Sequence, residues 1–515
     1  MKIRARGRTY ATAAVAADAK VEGIAGQVKN FLKRPCRGSS PQVGNRGTIP
    51  FDRVIAPAVT FAVGRLRSKR LAVGEIMAHS AWRDLGKHLL ARLSFALAPT
   101  LRLQHSIEKA VERSERRRHE SGEINFLETV KEFPGALDTA ARIIAAWWEA
   151  QDELLDRLWR DKDNLCDVFL NGRRHFRIVR IRAGLSDPHN GGKTATMLEF
   201  AGRGRVIYKP RSGAGEELWF TALGWLARNG LQFSFRVPKI LKRKNYLWME
   251  FLPTRGCRTA REIRNFYFRW GAQAALAQIL GATDLHRENW LAVGSQPILV
   301  DAELIGDAEP PKRTGRTRLD RQSLPMLLQT GLLPLTPRDR VGFYQGIAPF
   351  DATIPETAPP SCWPRYRRAI QKPSKYVNDL VRGFEAVAGI FADRCSAEKF
   401  FREIVSPAGQ RKDGRVLLRA SAQYARLLRD SVEARNMVSA GERWRLLARE
   451  CCASAENRRV GLAEVRSLLR CDIPKFTTRR RAVPASWKSF SAAIADLKGS
   501  SRLLRRRVLL GIRPV

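Results

Sequence analysis

An α+β fold is predicted from three changes of pattern along the chain. From about residue 50 to 165, apolar residues recur at threes and fours, as in AWRDLGKHLLARLSFAL and TAARIIAAWWEAQDELLDRLW, the spacing that lines one face of a helix. HFRIVRIRAG, TATMLEF and RVIYKP then alternate or run apolar, as strands do, and Ala201-Gly202-Arg203-Gly204 joins the last two as a hairpin turn. After a further strand candidate, YLWMEFL, helical spacing returns from about Glu262 to Leu280, and ILVDAEL closes the unit as a strand.

The flanks divide the chain into four stretches. Residues 1–48, with RPCRGSSPQVGNRG near their end, read as a flexible basic arm, and residues 49–165 as a helical region. Residues 166–440 form the core. Within it come a Pro-rich connection from Pro310, a helix around Tyr376 to Phe391, and RVLLRASAQYARLLRDSVEARN, which reads as one long helix. Residues 441–515 form a basic helical region ending in RRRAVP and RLLRRRVLL. That end suits a basic amphipathic helix that packs, binds a partner or touches an anionic surface. No internal repeat is present.

Composition bounds the possibilities. A chain of 515 residues, 44% hydrophobic with 12 Trp and 23 Phe, buries a large core and is not disordered. No stretch approaches the roughly 20 apolar residues a membrane span needs, and the basic, Ala-rich start lacks a secretory core, so a cytoplasmic protein is expected. The 8 cysteines form no CxxC pair, and no histidine follows His286; neither a zinc knuckle nor a disulfide framework is indicated. The excess of 92 Lys and Arg over 50 Asp and Glu gives a net charge of +42 and implies anionic partners. ATP, phosphorylated peptides, acidic peptides and nucleic acid all qualify. Without an RNP motif, a zinc finger or a basic region followed by heptads, nucleic acid is the reserve reading.

Phosphoryl transfer from ATP needs a cation on the donor phosphates, oxygen ligands for Mg2+ and a carboxylate near the attacking hydroxyl. One of each occurs here in kinase order. Lys209 ends the strand RVIYKP; Asp284 and Asn289 lie five residues apart in the loop DLHREN; Asp301 follows the apolar run of ILVDAEL. Each alone is a common surface or turn residue, and their order and spacing together favour the kinase-like reading.

The blocks SDPHNGG, VIYKPRS, LWMEFLP, ATDLHRENWLAVGSQPILVDAEL and RVLLRASAQY, spread over roughly residues 175 to 430, resemble the dehydratase domain of class II (LanM-type) lanthipeptide synthetases. The resemblance implies a divergent lipid-kinase-like dehydratase fold. It also implies ATP-dependent phosphorylation of Ser and Thr in a precursor peptide carrying a leader, then elimination of phosphate to dehydroalanine or dehydrobutyrine. Lys209 would contact ATP, Asp284 would orient the peptide hydroxyl, and Asn289 and Asp301 would hold Mg2+. Glu303, on the same strand face as Asp301, would lie close to the metal. His286 would support the loop or meet phosphate, a loop-ordering hydrogen bond being an equally good use of its imidazole. Asp187, His189, Arg415 and Ser421 would serve phosphate handling and elimination. Position 421 is usually Thr in that family; Ser keeps the hydroxyl but loses the methyl that fixes its rotamer. Ring closure in the family uses a zinc cyclase domain for which this chain has neither the histidines nor the length, so a dehydratase working with a separate cyclase, or leaving its product uncyclised, is expected. The alternatives are a kinase-like phosphotransferase lacking elimination and an inactive basic module that binds peptide or nucleic acid.

Overall fold

The computed structural model describes residues 2–5, 8–11, 14–33, 49–115, 129, 131–172, 176–202, 204–305, 324–336, 347–351, 354, 360–409, 414–416, 418–419, 421–453, 458–478 and 487–509. The expected loop RPCRGSSPQVGNRG, most of the Pro-rich connection, RRRAVP and turn residue Arg203 lie outside them. The architecture is α+β.

The helical region forms as its periodicity predicts: Asp52–Lys69, His79–Glu115 and Pro134–Phe169. Pro134 opens the last of these, where a missing N–H costs nothing. Residues 1–48 are a correction. They carry the helix Ala14–Leu32, which buries Val21, Ala25, Val28 and Leu32 at helical spacing in the same core and pairs Lys29 with Asp138. Four apolar side chains on one face are enough to dock a segment whose other residues are mostly small or polar.

The central sheet is antiparallel, in the spatial order Ile178–Arg182, Thr196–Phe200, Arg205–Lys209, Leu247–Glu250, Ile240–Lys242. Its period of two sorts the side chains between two cores. Val206, Tyr208 and Trp248 face the N-terminal helices, whereas Ile207, Leu247 and Met249 face the helices that follow. Polar ties fix the first interface: Arg157 donates to the Tyr208 hydroxyl at 2.6 Å, and Asp161 accepts from Tyr246 Oη and Trp248 Nε1 at 2.8 Å each. Lys209 falls on the second face, at the strand's end.

The second core is built on the helices Ala214–Arg228, Ala260–Ile279 and Val377–Ala392. The last two touch backbone to backbone. A Cβ at Gly271 would stand 1.8 Å from the Leu380 carbonyl oxygen, and one at Gly383 would stand 1.8 Å from that of Phe268. Gly383→Ala therefore forces the helices apart; we expect a loss of about 1–3 kcal/mol or more, read as a fall in Tm, and an unchanged Tm would contradict this packing. The C-terminal helix Leu497–Leu509 also joins this core through Leu497, Leu504 and Val508.

A second antiparallel sheet, Lys2–Ala5, Arg8–Ala11, Phe476–Thr478 and Gly414–Val416, joins distant parts of the chain. It corrects the long helix expected from Arg415. The chain is a strand over Gly414–Val416, with Arg415 opposite Thr477, and the helix begins at Ser421 and ends at Ser431. A strand of three residues exists only through its partner, which here lies some sixty positions away. Among the described residues no helix is long and apolar enough to cross a membrane, and the seven described cysteines form no disulfide.

Candidate functional site

A cleft of about 930 Å3 opens where the sheet meets the second core. Its walls carry Lys209, Asp284, His286, Asn289, Asp301 and Glu303, together with Asp187, His189 and Ser421. Of the residues expected to carry chemistry, these nine meet in one place. For Arg415 only the backbone is described, on the strand noted above.

Lys209 is 7% exposed, and its Nζ donates to Glu216 Oε1 at 3.1 Å and to the Val300 carbonyl. Glu216 lies fully buried in the first turn of Ala214–Arg228. Arg211, two residues past the strand, donates from both terminal nitrogens to Glu216, 2.8 Å for Nη1 to Oε2, and from Nη2 to Asp301 Oδ1 at 2.7 Å. Burial opposes ionisation of Glu216, yet Arg211 and then Lys209 outweigh it and hold the carboxyl below its ordinary range. Burial likewise opposes the charge on Arg211, and Asp301, Glu216 and Glu303 together raise its pKa. Glycine at 215 makes the arrangement possible. A Cβ there would stand 1.9 Å from the Ala302 carbonyl oxygen, so the helix start rests directly on the turn that carries Asp301.

The loop between the helix Ala260–Ile279 and the strand Trp290–Val293 is held by its own backbone. Thr283 N donates to Leu304 O at 3.0 Å and Leu285 N to Thr330 O at 2.9 Å, with Asp284 between them at φ 63°. A left-handed aspartate persists only where its neighbours are pinned, and such residues cluster at functional sites. Asn289 Nδ2 donates to the Asp284 carbonyl at 2.8 Å, which turns its Oδ1 outward as an acceptor. His286 Nδ1 accepts from Glu288 N at 3.3 Å, the loop-ordering bond. Glu303 is a correction to the strand-face expectation: the strand ends at Leu299, and Glu303 sits in the turn beyond. There its N–H donates to Asp301 Oδ1 at 3.2 Å, while its carboxylate takes Lys475 and lies 4.0 Å from Arg211.

The opposite wall is the SDPHNGG loop. His189 and Lys193 exchange backbone hydrogen bonds of 3.0 and 2.9 Å, and Gly191 and Gly192 N–H both donate to Asp472 Oδ2 at 2.8 Å. Arg92 donates to the other oxygen of Asp472 at 3.0 Å. His189 Nδ1 lies 2.7 Å from the Ile473 carbonyl; a carbonyl only accepts, so Nδ1 carries the proton and donates to it. Asp187 is exposed beside it. His88, also on the wall, is kept neutral by burial and by the charge of Arg92, which lower its pKa to about 3.

Reasoning from sequence missed Arg211, Glu216, Arg92, Asp472 and Lys475. A signal existed for Glu216, because a buried strand lysine demands a carboxylate and the next helix opens with Glu216 and Glu217. Nothing local marks Arg92 and Asp472 as partners. For Mg2+, the donors present are hard oxygens, Asn289 Oδ1 and the half-exposed Asp301 carboxylate. Among the described residues no group of three His, Cys, Asp or Glu could cage a metal. That set suits Mg2+, which is usually held by one or two carboxylates plus substrate phosphates.

Two comparisons bear on this geometry. A family model described as "Domain of unknown function (DUF4135)" matches residues 133–353 and 350–479, more than half of the 515-residue chain. The chain is also similar to the "Lacticin 481/lactococcin biosynthesis protein LcnDR2" of Lactococcus lactis subsp. lactis, at 25% identity over 236 residues, 39% of this chain. The match spans 25% of that relative's length.

Proposed function

We propose, from the premise that this chain belongs to the DUF4135 family, that it is a lanthipeptide-type dehydratase that phosphorylates Ser and Thr of a precursor peptide and then eliminates the phosphate. The observation that carries this reading is the convergence of Lys209, Asp284, Asn289 and Asp301 in one cleft, with Lys209 held 3.1 Å from the buried Glu216. A strand lysine paired to a helix glutamate, a loop aspartate with an amide five residues on, and a further aspartate after a strand are the parts phosphoryl transfer uses. The relative's role in lacticin 481 and lactococcin biosynthesis supports a lantibiotic-type peptide as the substrate.

Lys209 faces the donor phosphates, its position fixed by Glu216. Asp284 orients the peptide hydroxyl and takes its proton as the hydroxyl oxygen bonds to the γ-phosphorus and ADP departs. Asn289 and Asp301 would hold Mg2+, which when bound would supply positive charge against the phosphates. In elimination a base, Asp187 or His189 Nε2, removes the Cα proton; that electron pair forms the Cα=Cβ bond and the Cβ–O bond breaks, releasing inorganic phosphate. Arg415 and Ser421 act on that phosphate.

The test is intact-mass spectrometry of a leader-bearing Ser/Thr peptide incubated with the chain, ATP and Mg2+. Loss of water from the peptide is expected, with none when Lys209→Ala replaces the parent. A peptide that gains phosphate and keeps it would select the phosphotransferase without elimination; an unmodified peptide would reject both. Docking of an acidic leader to a chain of charge +42 should weaken steeply with salt, and the same titrations against duplex DNA test the reserve reading.

A further inference from the structure

Among the described residues, six strong cations line the cleft: Arg92, Lys193, Lys209, Arg211, Arg429 and Lys475. Five are committed to carboxylates of the chain itself. Arg92 pairs with Asp472, Lys193 with Glu153, Lys209 and Arg211 with Glu216, and Lys475 with Glu303. Arg429 stands apart: among the described residues its guanidinium has no hydrogen-bond or ion-pair partner, and it is exposed. It belongs to the helix Ser421–Ser431, which presents Ser421, Ala425, Leu428 and Arg429 to the cleft. These positions, spaced four, three and one apart, form one helical face. Side chains on a helix lean toward its N-terminus, so the Arg429 guanidinium is carried back along this face toward Ser421.

We propose that Arg429 receives the phosphate monoester of the phosphorylated peptide alongside the Arg415 and Ser421 proposed above, at an anion site separate from the ATP site at Lys209. The inference rests on the two-step reading above. After transfer the phosphate is attached to the peptide and must be gripped while the Cβ–O bond breaks, the electron pair leaving with the phosphate oxygen. A cation already neutralised by a buried carboxylate serves that step poorly. A guanidinium without a partner offers two parallel N–H donors to two phosphate oxygens. The small side chains of Ser421 and Ala425 leave room between it and the SDPHNGG loop across the cleft.

The test compares the full-length parent with Arg429→Ala and Arg429→Lys. Affinities are measured for a capped tripeptide carrying one phosphoserine, for the same tripeptide with unmodified serine, for inorganic phosphate and for ATP with Mg2+. The parent should prefer the phosphotripeptide, and Arg429→Ala should weaken that binding by about ten- to a hundredfold. Its ATP affinity and circular dichroism should match the parent's, and Arg429→Lys should recover part of the loss. Phosphotripeptide affinity unchanged by Arg429→Ala, or no preference in the parent, overturns the proposal. An equal loss for ATP overturns it too, placing Arg429 in the nucleotide site. If Arg429→Ala loses the phosphotripeptide while the parent modifies no peptide with ATP, the anion site stands and the dehydratase reading fails.

Discussion

Asp301→Asn is expected to abolish the proposed phosphoryl transfer while leaving the fold standing. The substitution is isosteric, and the side chain is 39% exposed, so little packing is at stake. The lost charge, however, faces two ways. Toward the cleft it is the carboxylate proposed to hold Mg2+. Toward the protein it accepts from Arg211 Nη2 at 2.7 Å and from Glu303 N at 3.2 Å. The amide removes the carboxylate charge from the proposed Mg2+ ligands, leaving only neutral oxygens there, while its Oδ1 can still accept from Arg211 and from Glu303 N. A fall of several orders of magnitude in ATP-dependent modification is expected, with Tm within a few degrees of the parent. Asp284→Asn should match it in rate through the other requirement, the proton and orientation of the attacking hydroxyl. Vigorous ATP-dependent modification of the peptide by either variant would remove the kinase-like assignment.

Glu216→Gln should damage both stability and rate. Glu216 is wholly buried and balances Lys209 and Arg211, themselves nearly buried. Removing one member of a buried ion cluster costs about 3–5 kcal/mol, because the remaining charges stay desolvated. Acid sensitivity carries the sign. The folded-state pKa of Glu216 is depressed below its ordinary value of 4.5. Its contribution is thus fully present above that value and is lost as pH falls toward the folded one. The parent should lose stability in that window more steeply than Glu216→Gln, as read by denaturant midpoints from pH 6 down to pH 3. Parallel curves would mean that the cluster is not what the carboxylate supports.

What the sequence disclosed was local. The strand that ends in Lys209, the helix before DLHREN and the run before Asp301 each announce themselves within about ten residues through periodicity and turn chemistry. Their succession matches the order of a kinase, and the structure brings these residues to one cleft. What stayed hidden was every contact made by folding over distance. Arg415 looked helical because the strand it occupies is defined by Thr477, and no spacing within RVLLRASAQY reveals a partner so far along. The N-terminal helix was obscured differently: its Ala, Gly and polar residues dilute four buried apolar ones in a composition window, although their spacing gives them away. Arg211 lay in plain sight in the block VIYKPRS and was passed over, since a charged residue after a strand reads as a turn until burial is known.

The clasp of Asp472 on Gly191 and Gly192, with Arg92 closing it from the other side, also sets a timetable for the molecule's birth. One wall of the cleft is drawn from residues separated by 380 positions, and Lys475 reaches Glu303 from the same late segment. Until the ribosome has released residue 475, the loop that carries His189 lacks its anchor and Glu303 its contact with Lys475. A nascent chain therefore exposes half a cleft, and the cleft is completed only after synthesis has passed that point.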